Sequence, residues 1–201
     1  MINNYNTLVE TFVNQQIKWL VADLRPGTVA IDIGANIGDT VIYLAMQDKI
    51  TKVYAYEPFP FVYAQMVENI KRANYGDKVE MFNAGVLDKD AEYRIEENLN
   101  IELSQHLKDY KKGKIIPVLG INRILKNKKN VIIKCIATGS EHQIFNRNIN
   151  LKNVYRIQIR YRRSYQDIVD VLKSKGFVVK REKDEDTIRF GEVGWIYAYK
   201  N

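Results

Sequence analysis

Val29-Ala30-Ile31-Asp32-Ile33 is a short, mostly apolar, β-branched run, and Gly34 follows it at once. A run of this kind reads as a strand buried on both faces, which is the habit of a parallel sheet. Parallel neighbours need crossover connections, and the chain supplies them. A helical stretch runs from residue 39 to about 48, a second strand over 53–56, and a helix over 60–74. Val62, Met66, Val67, Ile70 and Ala73 share one side of that helix. A third strand covers 79–84, after the turn signal Gly76-Asp77.

Further on, 131–136 is another buried strand, 139–147 a helix and 155–161 an alternating strand. Residues 164–175 form a helix with Ile168, Val169, Val171 and Leu172 as its apolar stripe and Gly176 at its end. The last strands, 177–180 and 195–199, pair antiparallel. Between 88 and 130 the spacing gives short strands at 93–96 and 115–118, a Lys-rich connection between them, and a short helix at 121–127. Ahead of the first strand, Leu8, Phe12, Ile17 and Leu20 predict an amphipathic helix over about 5–23, stopped by Arg25-Pro26-Gly27. The fold class is therefore α/β, with a doubly wound, mostly parallel, Rossmann-like sheet and a C-terminal antiparallel strand pair. Residues 1–24 read as an N-terminal helical segment and 25–201 as a single domain, a size that 201 residues suit.

Composition excludes several classes. The one cysteine, Cys135, and the two histidines, His106 and His142, leave no internal disulfide and no zinc cluster, so no metal is expected. The longest apolar runs, such as 41–46, are too short to span a bilayer, and the first residues lack a signal-peptide pattern. A soluble, cytoplasmic protein is expected. The net charge is +7, with 31 Lys+Arg and 24 Asp+Glu unevenly spread: residues 1–100 hold 9 basic and 14 acidic residues, leaving 22 and 10 for the rest. Such asymmetry fits either a face for an anionic partner or a solvated basic surface.

In an open α/β sheet, ligands bind beyond the carboxyl ends of the strands, so the turn after the first strand is the place to search. It reads Asp32-Ile33-Gly34-Ala35-Asn36-Ile37-Gly38. Gly34 permits a tight turn and a close ligand, and Gly38 close packing at the helix start, where free N–H groups favour an anion. A dinucleotide site would want glycine at Asn36, which weakens an NAD reading. Nineteen residues beyond Gly38 sits Glu57, an acid placed to accept both hydroxyls of a ribose. Phe59 can lie against an adenine face, and Asn83 can offer an amide to its edge. Taken singly, each residue also has a structural role open to it.

Together these segments resemble the class I S-adenosylmethionine-dependent methyltransferases, in their FkbM-like variant. Residues 31–39 are similar to the first motif of that family, 53–58 to its second, 69–74 to the following helix and 79–88 to its third strand and loop. Residues 175–179 and 195–198 fit its end. The resemblance implies a seven-stranded methyltransferase fold over 25–201, with S-adenosylmethionine as cofactor. It implies contacts from Gly34, Asn36 and Gly38 to the methionine end, from Glu57 to the ribose, and from Phe59 and Asn83 to the adenine, with Asp32, Ala35, Pro58 and Ala84 also among the cofactor-binding residues.

The family's Lys-x-Asp-x-Glu-Gly signature after the fourth strand is altered here to Lys134-Cys135-Ile136-Ala137-Thr138-Gly139. Methyl transfer to a hydroxyl needs the acceptor's proton removed, and the usual carboxylates are replaced by Ile136 and Thr138. Glu141 and His142 are the nearest candidates for a base. Three outcomes stay open: an acceptor that needs little help, a base from elsewhere, or a cofactor-binding module without turnover.

Residues 155–163 alternate, with Tyr155, Ile157, Ile159 and Tyr161 on one face and Arg156, Gln158, Arg160 and Arg162 on the other. Arg162 and Arg163, at the carboxyl end, are candidates for gripping phosphate or carboxylate on a substrate. The expected partner is a small-molecule or glycan acceptor, with O-methylation the implied reaction. Nucleic acid is the alternative, resting on charge alone.

Overall fold

The computed structural model describes residues 9–13, 16–95, 111–162, 164–183 and 192–200. Among these residues ten strands run in chain order: β1 Thr28–Ile33, β2 Ile50–Tyr56, β3 Val79–Phe82, β4 Gly85–Leu87, β5 Ala91–Ile95, β6 Lys114–Gly120, β7 Val131–Cys135, β8 Val154–Arg162, β9 Val178–Lys183 and β10 Val193–Tyr199. The helices are α1 Lys18–Val21, α2 Asp39–Ala45, α3 Pro60–Arg72, α4 Ile121–Leu125, α5 Glu141–Ile144 and α6 Gln166–Ser174, with a π-helical turn at Val9–Val13.

Seven strands form the main sheet, in the order β3-β2-β1-β7-β8-β10-β9. The order reverses between β1 and β7, which opens a crevice at their carboxyl ends. β10 is antiparallel to both β8 and β9, so the last strand inserts between two older ones. A separate sheet, β4-β6-β5, arises because the expected third strand stops at Phe82 and the chain starts a new pairing at Gly85.

Strand parity sends side chains into two cores. Ile31 and Ile33, Val131, Ile133 and Cys135 pack on one face under α4, α5, α6 and the small sheet. Ala30 and Ile132 point the other way, to the face built with Ile17, Leu20, α2 and α3. Each Val, Leu, Ile, Phe or Met side chain fully buried in these layers stabilises the fold by roughly 1.5–3 kcal/mol.

Two expectations need correction. The helix over 5–23 is found as two pieces within the described residues, Val9–Val13 and Lys18–Val21. Backbone geometry ends the second piece, since Ala22 is extended and Asp23 has φ +48°. The strict alternation over 155–161 also fails at its start. Val131 pairs with Val154 but Ile132 pairs with Arg156, so Tyr155 is an extra residue in a β-bulge. Tyr155 therefore joins the α1–α3 core, while Ile157, Ile159 and Tyr161 join the opposite one.

The bulge also aims Arg156 at α1. Its Nη1 donates to the carbonyls of Trp19 and Leu20, both at 3.2 Å, and to that of Ala22. Gln158 Nε2 donates to the Gln16 carbonyl at 3.0 Å. The arginine thus caps a helix end and ties the N-terminal segment to the sheet. Arg156→Met keeps the stem and removes the cap. Its expected effect is a loss of about 2 kcal/mol, seen as a lower urea midpoint with an unchanged slope.

Candidate functional site

The carboxyl ends of β1, β2, β3 and β7 meet at the crevice, and each loop there is held by groups from its neighbours. The turn after β1 begins with Gly34 at φ +74°. A Cβ on that residue would stand 2.0 Å from the Ile136 carbonyl oxygen, so only glycine fits. Asn36 takes φ +51° and Gly38 φ +88°. A Cβ on Gly38 would meet Met66 Cγ at 3.0 Å, so Gly38 serves the packing of α2 on α3, as expected of it.

Several N–H groups of the turn itself are engaged within the protein. Those of Gly34 and Ala35 both donate to the Tyr56 carbonyl at 3.0 Å, and that of Gly38 donates to the Ala35 carbonyl. The Asn36 N–H donates to Glu57 Oε2 at 2.9 Å. The turn binds the end of β2 before it binds anything else.

Glu57 sits at the centre of this arrangement. Its side chain is buried, and Oε1 accepts a second hydrogen bond, from the Phe59 N–H at 3.0 Å. Burial pushes its carboxyl up to about 7, although the two N–H groups and Lys134 oppose the rise. A carboxylate has about four lone-pair sites, so two remain for an incoming pair of hydroxyls. Asn83 closes the other side. Its Nδ2 donates to the Glu57 and Pro58 carbonyls, each at 3.0 Å. With Nδ2 engaged, the part of the amide left to meet a ligand donor is Oδ1. Phe59 and Pro58 are half-buried beside it, and Ala84 is buried.

Beneath the glycine turn lies a buried ion pair. Lys134 Nζ is 2.8 Å from Asp32 Oδ1 and donates to the Gly34 carbonyl at 2.9 Å. Thr40 donates its hydroxyl to Asp32 Oδ2. Asp32 faces into the protein and braces the motif from below. Asp39, at the start of α2, accepts from the Thr11 hydroxyl, and burial raises its carboxyl above the ordinary range. Thr11, Asp39 and Thr40 were not selected from the sequence, and Lys134 only as part of an altered signature. A lysine inside an apolar strand, opposite an aspartate in another, is the signal that points to this group.

On the β7 side, Thr138 has φ +42° and Gly139 φ +93°. Glu141 reaches back into this loop, accepting from the Ala137 N–H at 3.2 Å and the Gly139 N–H at 2.7 Å. It is 1% exposed, and burial raises its carboxyl. Both oxygens are engaged, so its geometry is that of a loop brace. His142 is half-buried on α5. The helix expected to reach 147 stops at Ile144, where Phe145 turns to ψ 59° and the Asn146 side chain takes over the Asn148 N–H.

Arg162 lies close enough to Glu141 for its charge to favour the ionised carboxylate. Arg163 lies outside the described residues. Arg160 stacks over Trp195 at 5.4 Å, and Arg156 caps α1, so neither extends the crevice. Among the described residues, no three His, Cys, Asp or Glu side chains gather in a metal-binding group. No helix among them is long and apolar enough to cross a membrane.

The model of the Methyltransferase FkbM domain matches residues 32–179, and the chain belongs to that family. Methyltransferase FkbM from Methylobacillus flagellatus KT superposes with a TM-score of 0.61 at 15% identity, covering 98% of this chain and 54% of that one. M. capricolum TrmK in complex with S-adenosyl-homocysteine superposes with a TM-score of 0.56 at 14% identity, covering 92% and 68%. In sequence, the 31-O-demethyl-FK506 methyltransferase FkbM of Streptomyces tacrolimicus is 34% identical over 58 residues, 29% of this chain and 22% of that protein. The curated relatives, which include tRNA1(Val) (adenine(37)-N6)-methyltransferases of Actinobacillus pleuropneumoniae, are each matched over less than a third of their length.

Two tests follow from this geometry. Gly34→Ala forces a side chain against the Ile136 carbonyl at a left-handed φ, and unfolding measurements should show a loss of about 3 kcal/mol. Glu57 ties stability to pH. The unfolded residue ionises near 4.5 and the folded one near 7. Between those values the folded state holds a proton that the unfolded chain has lost, so stability falls as pH rises through the window. The fall attributable to Glu57 is on the order of 3 kcal/mol, and Glu57→Gln should remove it. Urea titrations across pH 4–8 read this directly, and parallel curves for the two proteins would contradict it.

Proposed function

We propose that the chain is an S-adenosylmethionine-dependent methyltransferase whose acceptor is a small molecule or glycan. The observation that carries this reading is Glu57: a buried carboxylate, fixed by the Asn36 and Phe59 N–H groups, with lone pairs left for a vicinal diol. Around it, Gly34 lets the turn after β1 pack against the Ile136 carbonyl, Asn83 Oδ1 is an acceptor suited to an adenine amino group, and half-buried Phe59 offers a ring face. The donor sets fit an adenosyl cofactor. When bound, S-adenosylmethionine supplies an electrophilic methyl group on a sulfonium. The chain's own work is to hold donor and acceptor in line and to exclude water, which supplies much of the acceleration.

The acceptor is the finer part of the proposal. Near β7 the family's two acids are Ile136 and Thr138, and both Glu141 oxygens already hold loop N–H groups. Glu141 is only 1% exposed and turned back onto those N–H groups, so the loop encloses it. This favours an acceptor that is already nucleophilic near neutral pH, such as an amine or an acidic hydroxyl, over an unactivated alcohol. For the nucleic-acid alternative, three arginines of the basic half already have partners within the protein. Arg156 and Arg160 serve α1 and Trp195, and Arg181 pairs with Glu192.

The test is a thermal-shift titration with S-adenosylhomocysteine, with NAD as the control. Saturation at about a hundred times the dissociation constant should add roughly 2.7 kcal/mol of stability. Glu57→Ala should abolish the shift, and NAD should give none. A shift with NAD alone would replace this reading by a dehydrogenase. Binding of S-adenosylhomocysteine without methyl transfer to any acceptor would leave a cofactor-sensing module instead. If the acceptor is RNA, its binding should weaken steeply with salt.

A further inference from the structure

The cofactor candidates Gly34, Glu57 and Asn83 stand just beyond the carboxyl ends of β1, β2 and β3. The other half of the same edge is formed by the ends of β7, β8 and β9 and by the start of β10, which runs antiparallel to its neighbours. A group of side chains gathers there. Tyr161, near the end of β8, is wholly buried, and its hydroxyl donates to Glu192 Oε1 at 3.3 Å. Arg181 of β9 pairs with the same Glu192 oxygen, and its Nη1 lies 3.5 Å from the Tyr161 hydroxyl. The guanidinium stacks over the Tyr165 ring at 4.0 Å. Tyr165 in turn leans on Tyr161, with ring centroids 5.3 Å apart.

A cross-strand ion pair alone would only brace the β9–β10 hairpin. This one is built further. Tyr161 meets β10 at Gly194, where a Cβ would stand 2.6 Å from the tyrosine hydroxyl. Glycine weakens a strand interior, and here it makes room for that hydroxyl. The ties are also one-sided, since they use Glu192 Oε1 and Arg181 Nη1. Among the described residues Glu192 Oε2 takes no hydrogen bond, and a guanidinium has five N–H donors, so both groups keep capacity to spare. Each of the two side chains is 33% exposed, so that capacity is within reach of a ligand.

We propose that Arg181, Glu192 and Tyr165 form a subsite that anchors a saccharide ring of the methyl acceptor. The proposal rests on the methyltransferase reading above and deepens it. A guanidinium neutralised by a carboxylate draws neither an anion nor a cation strongly. It does set donors beside an acceptor, and neighbouring sugar hydroxyls both give and take hydrogen bonds. Bonds to charged partners are roughly twice as strong as neutral ones. The half-buried Tyr165 ring adds apolar surface beside them. Two strand spacings, roughly 10 Å, separate β7 from β10. An acceptor anchored here therefore extends across β8 to the crevice, and the anchored ring is not the one methylated. Binding energy gathered away from the reacting atoms then serves to align them.

Saturation-transfer NMR on the full chain tests the subsite, with millimolar glucose, galactose, mannose, rhamnose, xylose and N-acetylglucosamine as probes. At least one of these neutral sugars should receive saturation, and inorganic phosphate should not displace it. Glu192→Gln keeps the side chain's shape, and Arg181→Lys keeps its charge. Each should weaken that sugar by about fivefold or more. S-adenosylhomocysteine, held by the other half of the edge, should bind both variants within about twofold of the wild type. The proposal is overturned by a wild-type chain that gives no sugar signal, by a signal unchanged in either variant, or by displacement with phosphate. If the chain binds a sugar through these residues but no S-adenosylhomocysteine, the subsite stands and the cofactor reading has failed. Cofactor binding without any sugar signal is the reverse case. Where a variant loses S-adenosylhomocysteine as well, its fold is disturbed and Tyr165→Leu decides. That change leaves the ion pair in place and should weaken the same sugar, whereas an unchanged signal counts against the subsite.

Discussion

Asp32 and Lys134 are directly paired residues of adjacent strands, β1 and β7, at the point where the strand order reverses. Their side chains lie on the same face and are almost wholly buried. An isolated charge there would cost far more than the fold can bear, so the two groups require each other, and removing one partner of such a pair typically costs about 3–5 kcal/mol. The pair does more than cancel charge. Lys134 continues to the Gly34 carbonyl, and Thr40 approaches Asp32 from the first turn of α2. One buried contact thus sets the distance between two strands, the entry angle of the first helix and the path of the glycine turn. The crevice takes its shape from these three together.

Two further carboxylates finish the walls by the same device. Glu57 gathers the N–H groups of Asn36 and Phe59, and Glu141 those of Ala137 and Gly139. In each case a buried acid is tolerated because backbone donors replace water. These hydrogen bonds favour the charged form while burial opposes it, so both groups titrate above the ordinary carboxylate range. A rigid loop needs its N–H groups satisfied, and here the acids satisfy them from within. Far from the crevice, arginines play the matching part for carbonyl groups, as Arg156 does at the end of α1.

Much of the architecture was readable from the amino-acid order because local pattern and global fold agree. Val29 to Ile33, Val131 to Cys135 and the stripe Ile168–Leu172 declare strand or helix through their own composition. The resemblance of 31–39 and 53–58 to FkbM-like motifs pointed to the crevice, and the main-sheet order follows. What escaped depends on contacts distant in sequence. Nothing local at Tyr155 announces a bulge, which comes from its register against Val131 and Ile132. The three-residue strand β4 exists only because β6 is there to pair with it. Asn83 reads as a free amide until the Glu57 and Pro58 carbonyls arrive, 26 and 25 residues away, to claim its NH2. Thr11 and Asp39 are 28 residues apart, and neither predicts the other.

The two ends of the main sheet bear on how copies of this chain meet one another. β3 is only four residues long and presents Glu80, itself bound to Lys52. β9, at the other end, exposes Lys180, Arg181, Glu182 and Lys183 in succession. A strand edge is an open row of donors and acceptors that can template a neighbour, and brevity and charge are the means by which such rows are kept from extending. The sheet therefore ends as a closed unit at both sides. Charged side chains flank both edges, and another strand aligning there would have to desolvate them. Charge at both edges disfavours the edge-to-edge strand pairing through which β-rich proteins most readily polymerise.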